Sequence, residues 1–448
     1  MLSPSDKTHQ QNLFYTDLMM QLDQRDPLLR LAEEIPWSDF EVSFKHCYVL
    51  HHGRPAKPIR LMVGLLILKQ LENFSDEVVV KQVKYNPYYQ AFCGFTEFQQ
   101  TPPCDASELV YFRKRIGPTG VEKIFSASVK LHGDRAEEKE VIVDTTVQEK
   151  AITYPTDGKL AIKIINRLNK LAKVECVQQR RTYEKEVKAL RLNLRHFRHV
   201  KKRSKARKAI KRLRTIARTL IRELERKLST EALARYQASF AFYEQILSQE
   251  KNDKNKIYSL HEPHVSCIAK GKDHKPYEYG CKVSVVSTKT DGVVVGVAHH
   301  EGNPHDSHTL ESALDEAMKH RDKAISCAIC DRGYRGKKQV GETQVQLPGK
   351  ALKRDTPYQR QKKRRRCRRR AAIEPLIGHL KSDHRLSRNY LKGVAGDKIN
   401  LLMAACAWNM RLWMRKACFF LAFVKRTPQY RFNLFASCGP RAASLKAP

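Results

Sequence analysis

The sequence predicts an α/β core, preceded by an all-helical region and interrupted by a long, strongly basic helical insertion. Three observations predict it. Residues 12–133 carry apolar positions at helical spacing, with Pro and Asx residues at the joints. At Glu140 the period changes, and short apolar runs of strand type appear at 141–144, 277–300 and 324–331. Between the first two of these, residues 160–249 keep helical spacing without a single Gly or Pro.

Length and charge bound the partners. At 448 residues there is room for two or three domains, and 41% hydrophobic residues can bury a sizeable core. Lys and Arg number 84 against 47 Asp and Glu, a formal net charge of +37. Such a chain repels itself and favours a polyanion, with nucleic acid first among the candidates. The basic residues are spread over the chain rather than confined to one short amphipathic segment, which argues against a membrane surface. The apolar stretch 399–424 is broken by Asn409, Arg411, Arg415 and Lys416 and reads as a core helix, not a membrane span. The opening MLSPSDKTHQ lacks the pattern of a signal peptide. The twelve cysteines have no repeated spacing, so reduced thiols in a cytoplasmic protein are expected. Cys327 and Cys330 form the one C-x2-C pair and read as small residues in a buried strand, since no second ligand pair for zinc is evident.

In the helical region, Pro58 precedes IRLMVGLLILKQL and predicts a helix with Pro in its first turn. Ser75-Asp76 caps the next helix, and Asn86-Pro87 breaks the chain after it. Asp105-x-x-Glu108 has capping-box spacing, Gly117-Pro118 ends that helix, and Thr119-x-x-Glu122 repeats the box. Short helices with tight joints are compatible with a helix-turn-helix arrangement, as with any small bundle. The run VIVD then ends in Asp144 and is followed by an extended or turning segment. Residues 160–249 read as two long helices, an antiparallel hairpin whose seam includes Ile210, Leu213, Ile216, Ala217 and Leu220. Its basic stretch, with Lys201, Lys202 and Arg203, lacks balancing acids. Like charges at this spacing repel unless phosphates neutralise them, so DNA contact is expected.

Alternation on both sides of Asp291-Gly292 predicts a β-hairpin. The helix after Pro304 presents Leu310, Ala313, Leu314, Ala317 and Met318 on one face. His305, Asp306 and His308 at its start are read as an Asx or Ser cap with exposed histidines, in preference to a metal cluster. AISCAICD is a second apolar run ending in an acid, Asp331, and the sequence after it turns at 332–336. The densest positive run is 360–370, and residues 425–448 read as a basic tail. A nuclear localisation signal is the motif-level alternative for the 360–370 run.

The last motif is Glu374, an acid in basic surroundings, with Arg370 four residues before it and Lys381 seven after. On a helix these steps leave all three within about 40° of one stripe. Ile373, Ile377 and Leu380 make an adjacent apolar stripe, and Pro375 fits only a first turn or a bend. The pattern R-x3-E-x6-K resembles the signature around the last catalytic acid of insertion-sequence DDE transposases, most like the insertion-sequence-five group. Cys367 stands where the usual signature has Tyr.

That resemblance implies a ribonuclease-H-like mixed sheet in which the first and fourth strands lie side by side. Asp144, Asp331 and Glu374 would then converge, as catalytic residues and as ligands of two Mg²⁺ ions, with Mn²⁺ possible. Two such ions, about 3.5–4 Å apart, activate a nucleophile and stabilise a leaving oxygen. Arg370 and Lys381 would hold phosphates in line, with Arg368 and Arg369 in the same DNA-binding run. The implied domains are a helical N-terminal DNA-binding domain at 1–135 and a catalytic domain at 136–158 and 255–392. The basic helical hairpin occupies 159–254, and a C-terminal helix with basic tail 393–448. The expected activity is that of a prokaryotic, nucleoid-associated transposase. It would bind the terminal inverted repeats of its own element, cleave the strands and join 3′-OH ends to target double-stranded DNA, as a homodimer on DNA and without a membrane. The alternatives are an inactive DNA-binding descendant, which needs a lost acid, and a basic RNA-binding protein, which does not explain two apolar runs ending in Asp.

Overall fold

Capping residues start the N-terminal helices where their spacing places them. The helix Ile59–Leu71 begins directly after Pro58 and is buried on nearly every side. Ser75 Oγ accepts from Val78 N at 3.2 Å to start Asp76–Tyr85. Asn86 Oδ1 accepts from Tyr88 N at 2.9 Å to start Pro87–Phe92. Asp105 and Glu108 form the reciprocal capping box of Ala106–Lys130. The second box, expected at Thr119 and Glu122, is not made. Gly117 takes φ +61°, a left-handed conformation suited to glycine, and Pro118 restarts the helix, so Thr119 already lies inside a first turn.

The computed structural model describes residues 17–49, 55–250, 252–269, 275–349 and 352–426. Two compact units result, Met1–Gln148 with Lys282–His300 and Pro304–Pro448, and Glu149–Cys281 with Glu301–Asn303.

Among the described residues the strands are β1 (Glu140–Lys150), β2 (Ser266–Ala269), β3 (Tyr277–Thr288), β4 (Val294–His300), β5 (Cys327–Ile329), β6 (Gln339–Val340), β7 (Thr343–Gln346) and the two-residue β8 (Arg388–Asn389), which pairs with β1. In the first unit the sheet order is β4-β3-β1-β5-β7-β6. The β3–β4 hairpin is antiparallel and turns at Gly292, whose φ is +70°. β5 is parallel to both β1 and β7, so the sheet is mixed and the helices lie against it. The expected neighbourhood of the first and fourth core strands is therefore present, with Ile142 in register with Ile329. One detail differs. Asp144 does not end its strand, because the β-branched Thr145, Thr146 and Val147 carry β1 on to Lys150. It is β5 that stops, at Ile329, which leaves Asp144 just past the paired register.

Two helices brace this sheet. In Asp306–Met318, Leu310, Ala313, Leu314 and Ala317 are buried, whereas Met318, at the helix end, is exposed. Gly296 in β4 admits that helix, since a Cβ there would come within 2.6 Å of the Ala317 backbone. The long helix Gly393–Arg426 buries Ile399, Met403, Cys406 and Met410, as a core helix should. Its fully buried Asn409 is tied to β4, accepting from Val294 N at 2.9 Å and donating to Val294 O at 2.8 Å. Among the described residues no helix is long and apolar enough to cross a membrane. Residues 427–448 of the expected basic tail lie outside the described residues.

The second unit departs from the expected helical hairpin. Its described residues form four α-helices, Asp157–Val174, Glu184–Leu194, Arg203–Lys227 and Thr230–Ser248. Breaks without Gly or Pro separate them. Cys176 and Tyr183 adopt positive φ between the first two, 3-10 turns at Arg195–Arg198 and Val200–Lys202 join the next pair, and Ser229 caps the last. Their apolar faces meet in one core that includes Leu160, Ile164, Leu168, Leu213, Ile216, Leu220, Leu224, Phe240 and Leu247. Ile210, read as part of the seam, is half-buried.

Candidate active site

Three carboxylates from three separate elements meet one guanidinium. Asp144 comes from the middle of β1 and Asp331 from the residues just past β5. Glu374 comes from the first turn of the helix Ile373–Ser382. Arg370 lies in the last turn of the preceding helix, Pro357–Ala371. Its Nη2 lies 3.3 Å from Asp144 Oδ2 and 3.8 Å from Asp331 Oδ2, and its Nη1 lies 3.1 Å from Glu374 Oε1.

The two aspartates are held alike. Asp144 Oδ1 accepts from the Thr145 N–H at 2.8 Å, and Asp331 Oδ1 accepts from the Gly333 N–H at 2.7 Å. Each anchors one oxygen on the backbone that follows it and offers the other to Arg370. Glu374 is placed by packing. Pro375 sits in the first turn of its helix, as its chemistry requires, and the helix docks on the sheet through Ile373 and Ile377 against Ile142, Cys327 and Ile329. The Arg370–Glu374 step survives although the helix is interrupted at Ala372.

Exposure rises across the site, from 15% for the Asp144 side chain to 35% for Asp331 and 62% for Glu374. Arg370 is 20% exposed, and its buried Nε has no hydrogen-bond partner among the described residues. One positive charge stands among three negative ones, and close carboxylates repel unless further positive charge is supplied. The donor set is all oxygen, which suits a hard divalent cation. The neighbouring Cys327 and Cys330 are buried, and burial pushes the Cys330 thiol up, away from the thiolate a softer metal would need.

The other basic residues are not all gathered here. Lys381 is half-buried in the last turn of the Glu374 helix, and Arg368 is exposed. Arg369 donates to the Thr290 carbonyl oxygen. Cys367 is half-buried in the helix that carries Arg370. Lys201, Lys202 and Arg203 belong to the second unit and are exposed at the start of its longest helix.

Sequence reasoning missed a polar cluster beside Asp144. Asp306 was read with its neighbours as a helix cap, but the cap is His305, whose ring accepts from Ser307 N at 3.4 Å. Asp306 Oδ1 instead accepts from Thr145 Oγ1 at 2.8 Å and from Lys282 Nζ at 2.9 Å. Burial raises the Asp306 pKa, but the bonds from Lys282 and Thr145 outweigh it and hold the carboxyl below the usual range. The available signal was weak, a lysine in the middle of a strand otherwise able to be buried.

Comparison with known proteins places these residues in context. A family model described as a transposase domain matches residues 16–115, and one described as a transposase DDE domain matches 249–410. Asp331, Glu374 and Arg370 fall inside the second match, and Asp144 lies outside both. A protein of Rhizobium meliloti described as uncharacterized protein ORF8 in the nfe locus is 42% identical over 195 residues, covering 42% of this chain and 94% of that protein. No solved structure matches.

Proposed function

Because the chain belongs to the DDE transposases, we propose that it cleaves DNA strands at the terminal inverted repeats of its own mobile element and joins the resulting 3′-OH ends to target DNA. The spacing of Arg370, Glu374 and Lys381 favours the insertion-sequence-five group within that family. The observation that carries the reading is the convergence of Asp144, Asp331 and Glu374 on one cation position, filled by Arg370.

Asp144, Asp331 and Glu374 are the residues to hold two Mg²⁺ or Mn²⁺ ions. When bound, such ions supply a nucleophile activated at neutral pH and stabilise the leaving oxygen. The backbone N–H groups of Thr145 and Gly333 each hold one oxygen of the two aspartates and so aim the other at the shared position. Arg370 must then release the acids, which frees its fork of donors for a phosphate beside them. Arg368 and Lys381 extend the same positive surface, and Arg369 joins it by giving up the Thr290 carbonyl. The helical region 1–135 is assigned to recognition of the DNA ends, and 136–158 with 255–392 to catalysis. The basic segment within 159–254 is assigned to gripping the backbone, and 393–448 to bracing the sheet and adding positive charge. The working compartment is the prokaryotic cytoplasm, on the nucleoid.

The test uses DNA carrying both ends that flank the gene. With Mg²⁺, the protein is expected to cut at those ends and to join them to a plasmid target, and excess EDTA should stop both steps. Mass measurement should find at least two copies of the chain on paired ends, since self-repulsion at +37 is relieved by DNA. Cutting that persists in excess chelator, or end DNA left intact with either metal, contradicts the proposal.

A further inference from the structure

We propose that Asp306 is a positioning residue for the acidic site, holding Asp144 in its working orientation through Thr145. The inference rests on the reading of Asp144, Asp331 and Glu374 as metal ligands, and concerns a residue outside that set.

Three chain segments meet at the Asp306 carboxylate. Thr145 reaches it from β1, and Lys282 reaches it from β3 while also donating to the Pro304 carbonyl oxygen at 2.7 Å. Thr145 is the residue whose N–H fixes Asp144 Oδ1. A hydroxyl locked by Asp306 limits rotation of Thr145, and so steadies the peptide that aims Asp144. The second oxygen faces the other strand acid. A Cβ on Gly333 would lie 2.8 Å from Asp306 Oδ2 and 2.9 Å from Asp331 Oδ1, so both carboxylates crowd the same glycine. Asp306 therefore abuts the residues that orient Asp144 and Asp331, without touching Arg370 itself.

A role in fold stability alone fits less well. The Lys282–Asp306 pair is taken largely out of water, with side chains 11% and 27% exposed, and such pairs seldom stabilise more than apolar residues of similar size. A helix start needs no such arrangement, because His305 already caps it. Lys282 also neutralises Asp306, so a fourth carboxylate beside the site adds orientation without adding a competing charge. Outer partners of metal-binding carboxylates act in this manner.

The test measures Mn²⁺ affinity of the full chain by titration calorimetry, with cleavage of end DNA as a second readout. Asp306→Ala and Thr145→Val should each weaken Mn²⁺ binding by about 10–100-fold, the usual effect of losing an outer partner. Thr145→Ser, which keeps the hydroxyl, should restore the wild-type affinity. Wild-type affinity in Thr145→Val or in folded Asp306→Ala overturns the proposal, as does failure of Thr145→Ser to restore it. Thr145→Val removes one hydroxyl at nearly constant volume, so it decides the matter if Asp306→Ala does not fold. Asp144→Asn separates the two levels of inference. If it too binds Mn²⁺ normally, the metal-site reading itself falls; if it alone loses binding, only the role of Asp306 falls.

Discussion

Replacing Asp144 or Asp331 by Asn, or Glu374 by Gln, is expected to reduce Mg²⁺- or Mn²⁺-dependent strand cleavage by a factor on the order of 10³ or more, with DNA affinity little changed. Each change removes one negative charge at nearly constant size. The loss of several kcal/mol of transition-state stabilisation from a poorly held metal corresponds to a rate effect of about that size. Structural collateral should be small. Glu374 is mostly exposed, and Asp144 and Asp331 keep an oxygen to accept from the Thr145 and Gly333 N–H groups. Cleavage of a supercoiled plasmid carrying the element ends, beside a gel-shift titration of the same DNA, measures both quantities. A variant that cuts at near the wild-type rate removes its residue from the site.

The second large effect concerns binding. Reversing Lys201, Lys202, Arg203 and Lys205 to Glu should flatten the dependence of log affinity on log salt by about 3–4, the counterion release expected for four phosphate contacts. All four are exposed, and none forms an ion pair with another described residue. Nearby cations are already paired, as Arg212 is with Glu186 and Arg218 with Glu244. From Arg195 to Lys227 the acids are Glu223 and Glu225, so the surplus is not balanced within the segment. The four positions lie away from the buried seam of Leu213, Ile216 and Leu220, which protects the fold from the reversal. Binding titrations at several salt concentrations give the slope. An unchanged slope would leave this segment a structural or pairing role.

What the sequence conveyed depended on how local each cause was. VIVD and AISCAICD are short apolar runs whose last residue is an acid, and both strands and both acids lie where that pattern puts them to within a few residues. Glu374 was legible because its fixed distances to Arg370 and Lys381 resemble a family signature, although a break at Ala372 puts Arg370 on one helix and Glu374 with Lys381 on the next. The extent of β1 was not, since Thr145 to Lys150 suit both a strand and a turning segment, and neighbours in space decide between them. The division of 160–249 into four helices was hidden for another reason. Its breaks at Cys176 and Tyr183 use residues that do not favour positive φ, so packing rather than propensity imposes them. Asp306 looked like a cap because caps are local. Its actual partners, Lys282 and Thr145, are 24 and 161 residues away and come together only in the folded sheet.

The most direct measurement is a crystal structure of the protein soaked or grown with Mn²⁺, read through the anomalous signal of the metal. The account predicts metal density bounded by the carboxylates of Asp144, Asp331 and Glu374, with the Arg370 guanidinium withdrawn from all three. The contradicting result is a map without anomalous density at saturating Mn²⁺, in which Arg370 still bridges the three acids.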